Sequence, residues 1–301
     1  MRVLFVTNVG PRCGVSQFGS QNAAALLAAG QDVTVHLADY PTYLPENSEK
    51  FDVVHINFHP GTLGHIQPQH LPKKPLISIF WHETSPRWGR EETAPPLFYA
   101  PNALHFAAEP IMGMKFFPIP VADYMPEPNL WDIGGVDTIN RFQVLPEELP
   151  EPPVLIGHTG LRRDGLDWLA HVCERRGWAI SPSEGWRSLE EEIERLARCH
   201  LVVCHSHAGY AGMASAPMTA VAARRPILIN SGRMLSVLSR INEVDFGGSQ
   251  LYKDDNLERG IETILEDIAS GREKRPLEIA KFFCWSRRVH AMIEEWEGRL
   301  A

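Results

Sequence analysis

The 301-residue chain has no apolar run approaching the ~20 residues that span a bilayer, so no stable membrane insertion is expected. The N-terminus enters a strand-like segment directly, without a signal-peptide pattern. The five cysteines, at positions 13, 173, 199, 204 and 284, are odd in number and lack framework spacing. That excludes a disulfide scaffold and points to reduced thiols and a cytoplasmic protein. The G-x-G-x-x-G dinucleotide fingerprint is missing as well: the first loop carries Gly10-x-x-x-Gly14, which argues against NAD or FAD. No block of like charges marks a nucleic-acid tail, and no basic amphipathic helix points to lipid.

What is present is an ordinary globular composition with 44% apolar residues, enough for one large or two medium cores. The formal net charge is −8, from 29 Lys and Arg against 37 Asp and Glu. The excess is concentrated. Residues 1–123 hold eight basic against ten acidic side chains, residues 153–301 hold twenty against twenty-one, and the segment between holds one against six.

Val3 to Thr7 (VLFVT) is a continuous apolar run, the mark of a strand buried on both faces of a parallel sheet. A loop from Asn8 to Val15 follows, with Ser16 as N-cap of a helix that Gly30 ends. Further strands read at Asp32 to Ala38, Phe51 to Phe58 and Leu76 to Trp81, with weaker candidates at Leu104 to Ala107 and Phe116 to Ile119. From Ala122 to Pro153 six prolines punctuate an acidic stretch, read as a connector at residues 124–152. A second α/β series then starts: Val154 to Gly157, a helix Leu166 to Arg176, a strand Trp178 to Ile180, a helix Ser188 to Cys199, and strands at Leu201 to Cys204 and Ile227 to Ile229. Between the last two, Ser215 and Pro217 precede a short helix Met218 to Ala223, with Arg224 and Arg225 in its last turn. Helices Asp255 to Ala269 and Ser286 to Leu300 close the chain. The fold class expected is α/β: two Rossmann-like, doubly wound parallel-sheet domains facing across a cleft.

These segments resemble the GT-B glycosyltransferases, particularly the large retaining family that uses nucleotide-sugar donors. VLFVTN with its Gly-bearing loop is similar to that family's opening, FDVVHINFH to its third strand, and LISIFWHE to a fourth strand ending in a histidine. FFPIPVAD resembles the segment before the second domain, IGHTGLRRDGLDWL the phosphate-binding loop, and FCWSRRVHAMIEEWE the closing helix. The resemblance implies an N-terminal acceptor domain at residues 1–123, joined by the returning helix 285–301, and a donor domain at 153–284. The family's E-x-x-x-x-x-x-x-E pair is replaced by Ala211 and Thr219, and the loop lysine is missing.

On this resemblance Arg162 and Arg163 take over the diphosphate, since arginine forks match phosphate oxygens. Gly14 lets the first loop reach the donor phosphates. Gly212, Met213, Ser215 and Thr219 complete the donor site. His82 contacts the transferred sugar, and the pair His82 and Glu83 is placed for acid–base work if the enzyme inverts. His55, His59, His65, His70 and the run Cys204-His205-Ser206-His207 lack zinc spacing, so no metal or other cofactor is expected beyond the nucleotide sugar as co-substrate. Trp285 and Trp296 read as packing residues. The acceptor stays open among a small molecule, a glycan and a modified DNA base. A nucleotide-sugar epimerase and an inactive sugar-nucleotide-binding protein are the alternatives to transfer.

Overall fold

The computed structural model describes residues 1–8, 14–82, 84–85, 87–88, 92–108, 113–117, 154–159, 163–182, 189–205, 215–232 and 235–301. Among them every named strand runs parallel to its neighbours. These residues form two units, residues 1–117 with Trp285–Ala301 and residues 154–284. The connector expected at 124–152 lies outside the described residues.

The first unit is a six-stranded sheet of β1 (Arg2–Thr7), β2 (Asp32–Leu37), β3 (Val53–Phe58), β4 (Leu76–Trp81), β5 (Leu104–Ala107) and β6 (Lys115–Phe116), in the order β2-β1-β3-β4-β5-β6. All six residues of β3, and all but the first of β1 and of β4, are buried, because helices cover both faces of such a sheet. Chain order reverses between β1 and β3, the place where open α/β sheets leave a crevice at the strands' carboxyl ends. Helix α1 (Gly14–Ala28) leads from β1, and the single turn α2 (Pro60–Leu63) follows β3. Helix α1 begins at Gly14, two residues before the expected cap. Ser16 is therefore a buried residue inside the first turn and not the N-cap.

The second unit repeats the scheme: β7 (Leu155–His158), α3 (Arg163–Arg176), β8 (Ala179–Ile180), α4 (Leu189–Ala197), β9 (Leu201–Cys204), α5 (Ser215–Ala222), β10 (Ile227–Ile229), α6 (Ser236–Arg240), β11 (Tyr252–Lys253), α7 (Leu257–Ala269) and α8 (Leu277–Phe282). The sheet order is β11-β10-β9-β7-β8, so the reversal falls between β7 and β9. Gly157 on β7 allows close packing: a Cβ there would lie 2.9 Å from Cys199 Sγ. Helix α5 starts earlier than the sequence suggests, with Pro217 at its third position, where a missing N–H costs no helical bond. It also ends earlier, at Ala222. Arg224 turns to φ 57°, and Arg225 is buried with Nε donating to the Ala197 carbonyl at 2.7 Å, so neither is a dipole-matched cation in the last turn.

Helix α9 (Trp285–Leu300) packs on α1 and β4 of the first unit. Its buried stripe is Trp285, Val289, Met292, Ile293 and Trp296. The Trp285 ring lies tilted 60° against Phe18, with centroids 4.9 Å apart, and donates from Nε1 to Gln21 Oε1 at 2.7 Å. Trp296 donates from Nε1 to Ser78 Oγ at 2.9 Å. Ser78 Oγ lies 2.9 Å from His55 Nδ1, and His55 Nε2 lies 3.3 Å from Asn22 Nδ2. Asn22, His55, Ser78 and Trp296 are all fully buried, so this polar chain ties α1, β3, β4 and α9 together inside the core. Burial pushes the His55 pKa down to about 3, which keeps the ring neutral and able to donate from one nitrogen and accept at the other.

Candidate active site

The carboxyl ends of β1, β3 and β4 bring three polar side chains together at the point of strand reversal. They are Thr7, the last residue of β1; Asn57, next to last on β3; and His82, the first residue after β4. The Asn57 amide is fully used. Its Nδ2 donates to Thr7 Oγ1 at 2.9 Å and to the Val15 carbonyl of α1 at 2.8 Å. Its Oδ1 faces His82 Nε2 at 2.6 Å. A carbonyl only accepts, so Val15 fixes which end of the amide is the donor.

Gly19 makes this approach of α1 possible. A Cβ at Gly19 would lie 2.6 Å from Thr7 Oγ1 and 2.8 Å from Asn57 Nδ2. Above the network the His82 ring meets the edges of Phe18 and Phe80, with centroids 4.8 and 5.0 Å away. Removal from water, with a smaller contribution from nearby His59, lowers the His82 pKa to about 3. His82 is thus a neutral ring at physiological pH. His59 lies at the N-cap of α2, its Nδ1 accepting from the Gly61 N–H at 3.0 Å.

In the second unit the corresponding strand ends are held by Arg195 on α4. Its guanidinium donates to the His158 carbonyl at 2.8 Å and the Ser181 carbonyl at 3.3 Å, at the ends of β7 and β8. It is paired with Glu192 at 2.6 Å. Further along the same edge, His205 Nε2 lies 3.1 Å from the Asp254 carbonyl oxygen, and Ser231 donates from N and Oγ to the Asp255 carboxylate.

Of the residues singled out from the sequence, His82 and Gly14 lie on the first unit, Gly14 as the first residue of α1. Arg163 opens α3 and Ser215 opens α5, both at helix N-termini that follow a strand. Thr219 is buried in α5. Glu83, Arg162, Gly212 and Met213 lie outside the described residues. Among the described residues no group of three or more His, Cys, Asp or Glu is placed to hold a metal ion. Trp285 and Trp296 are core residues, as their positions in the closing helix suggested. Sequence reasoning missed Asn57, Thr7 and Gly19. The available signal was an asparagine inside the apolar run FDVVHINF, because a buried amide there must be hydrogen-bonded.

The five strands of the second unit follow the same order as the first five of the first unit, the paired α/β arrangement of the GT-B fold class. No family model and no curated protein matches the sequence. Solved structures do match. An alpha-glucosyltransferase in complex with UDP-glucose and DNA containing an abasic site is 12% identical, with 100% of both chains covered and a TM-score of 0.56. An alpha-glucosyltransferase in complex with UDP and a 13-mer DNA with a central A:G mismatch is 12% identical, with 99% of this chain and 100% of that chain covered and a TM-score of 0.59. At this identity the likeness is one of fold.

Proposed function

We propose that the protein is a glycosyltransferase that moves a hexosyl or pentosyl unit from a nucleotide diphosphate-sugar to an acceptor. The observation that carries this reading is the fold shared over the full length of both chains with alpha-glucosyltransferases holding UDP-glucose or UDP. In this reading the second unit takes the nucleotide diphosphate, through Arg162, Arg163 and the helix N-termini at Arg163 and Ser215. Gly14, Gly212, Met213 and Thr219 line the donor. His82 contacts the transferred sugar.

Charge neutralisation of the departing diphosphate by arginines and backbone N–H groups supplies the main catalytic effect, in step with cationic character at the glycosidic carbon. The reaction then needs no metal, and activity survives EDTA. The neutral His82 fits a hydrogen-bonding contact better than acid–base work with Glu83, because a ring with pKa about 3 is a weak base toward an acceptor hydroxyl and carries no second proton to act as an acid at neutral pH. The scattered thiols, three of them buried, fit a cytoplasmic protein.

A second reading of the acceptor, a modified DNA base, is favoured by the DNA carried by the structural relatives. The net charge of −8 weighs against it, since phosphate contacts need clustered Lys and Arg.

The test is a melting-temperature screen with UDP-, GDP-, ADP- and TDP-sugars, because a ligand that binds only the folded state raises the transition. One nucleotide is expected to stand out. Transfer assays with that donor then compare glycans, small alcohols and duplex DNA carrying a hydroxymethylated base. Donor hydrolysis or transfer supports the reading, sugar inversion with donor alone supports an epimerase, and binding without any turnover supports an inactive sugar-nucleotide binder. If no nucleotide sugar raises the melting temperature, the reading fails.

A further inference from the structure

We propose that Asn57 is the positioning residue of the site: it holds the His82 proton on Nε2, so that Nδ1 meets the substrate as a hydrogen-bond acceptor. This rests on the reading of His82 as a contact to the transferred sugar. Two polarities are fixed by the chemistry of the groups. The Val15 carbonyl only accepts, so the Asn57 nitrogen faces it, at 2.8 Å. The same nitrogen bonds Thr7 Oγ1 at 2.9 Å, a hydroxyl that accepts from or donates to either end of an amide, so the Val15 bond is the one a turned amide would lose. The amide oxygen left toward His82 only accepts, so Nε2, 2.6 Å away, carries the hydrogen. A neutral imidazole has one N–H, and Nδ1 is then a lone pair. Among the described residues Nδ1 has no hydrogen-bond partner of its own.

Such a nitrogen recognises a hydroxyl donor. The sugar being transferred offers several, and one of them pointing at Nδ1 would fix the ring during departure of the diphosphate. The groups around the imidazole are Asn57, the apolar rings of Phe18 and Phe80, and His59 as the titratable neighbour. Among the described residues none of these supplies a negative charge that would hold a second proton on the ring. His82 therefore acts by accepting a hydrogen bond and not by storing a proton.

The test needs no substrate at its first step. Nitrogen-15 NMR of the full-length protein, labelled at histidine, reads the protonation pattern of each ring. His82 is expected as a neutral Nε2–H form near pH 7. An Nδ1–H form, an even mixture or an imidazolium at that pH overturns the proposal.

Two variants follow. Asn57→Ala removes the pin and is expected to give a mixture of tautomers. Asn57→Asp keeps the shape and sets a carboxylate against Nε2, which favours the imidazolium and turns Nδ1 into a donor. A second spectrum at about pH 5.5, where an unfolded histidine is largely protonated, shows that each variant is folded if the buried His55 ring stays neutral. A His82 pattern unchanged in both folded variants overturns the proposal.

With the donor found by the screen, Asn57→Asp is expected to lower kcat about tenfold or more, the worth of one hydrogen bond to the reacting group, while nucleoside diphosphate affinity holds. An unchanged kcat alongside the expected spectra overturns the Nδ1 contact but leaves glycosyl transfer standing. Absence of all donor binding sinks the functional reading and leaves the tautomer assignment intact.

Discussion

Gly19 and Gly298 both lie inside helices of the first unit, and replacing each by alanine should move stability in opposite directions. In a helix interior alanine is favoured over glycine by up to about 1 kcal/mol, because glycine loses more backbone freedom on folding. At Gly298 on α9 nothing lies within 4 Å of the added Cβ, so Gly298→Ala should stabilise by a few tenths to about 1 kcal/mol, less toward the frayed helix end. At Gly19 the Cβ would fall 2.6 Å from Thr7 Oγ1, 2.8 Å from Asn57 Nδ2 and 3.2 Å from Thr7 Cβ. Thr7 ends a buried strand, and Asn57 is held by three partners, so neither is a loose chain end that swings away. Overpacking of this kind costs about 1–3 kcal/mol, and each hydrogen bond stretched out of range adds roughly 1 kcal/mol. The cost exceeds the helical gain, and Gly19→Ala should destabilise by about 1–3 kcal/mol net. Urea unfolding followed by tryptophan fluorescence measures both variants in one transition, since Trp285 and Trp296 are buried in the same unit. A Gly19→Ala midpoint at or above that of wild type would refute the close approach of α1 to the strand ends.

Three further outcomes are expected. Replacing Arg162 and Arg163 together by alanine should weaken nucleoside diphosphate binding about a hundredfold while the phosphate-free nucleoside binds as before, at 1.5–3 kcal/mol per charge-assisted bond; equal diphosphate binding by calorimetry places the anion site elsewhere. Trp296→Phe should cost about 1–3 kcal/mol in denaturant titration by removing one of the two partners of the buried Ser78 hydroxyl, and Ser78→Ala in the same chain should add less than it costs alone. The pH dependence follows from His55, whose pKa drops from 6.5 to about 3 on burial. Between those values the unfolded chain binds a proton that the native state refuses, so this contribution is complete above about pH 6.5 and is lost as pH falls toward 3. His55→Gln should make the acid limb of the stability profile shallower, and an unchanged slope would mean that the ring is not buried neutral.

The strands were largely legible because a doubly covered parallel sheet demands unbroken apolar runs, and VLFVT, FDVVHINF and LISIFW are such runs. The closing helix was legible from the likeness of FCWSRRVHAMIEEWE to the last helix of the GT-B family. Helix starts were less so. Ser16 reads locally as a cap, yet packing of α1 against β1 and β3 carries the helix back to Gly14 and buries Ser16. His82 stood out because a polar residue ends a hydrophobic strand. Its partners did not stand out, since Thr7, Gly19 and Asn57 are scattered through 51 residues and meet only when the sheet forms. No local periodicity records that meeting. The chain from Asn22 to Trp296 was invisible for the same reason, as it joins four elements that sequence distance keeps apart.

Helix α9 completes a unit whose other described strands and helices all precede residue 118. On a ribosome these parts emerge in order, and the 167 residues between Phe117 and Trp285 must be synthesised before the closing piece appears. At roughly 5–20 residues per second that interval is about 8–30 s. Throughout it the side of α1 and β4 that α9 will cover is bare, and Ser78 and His55 have water where Trp296 will sit. The nascent chain therefore spends this time with an unfinished apolar groove on its first unit, while the second unit can complete its own sheet. A chaperone that shields short apolar stretches would find its target there, and truncated products that stop before Trp285 would keep that groove open and aggregate.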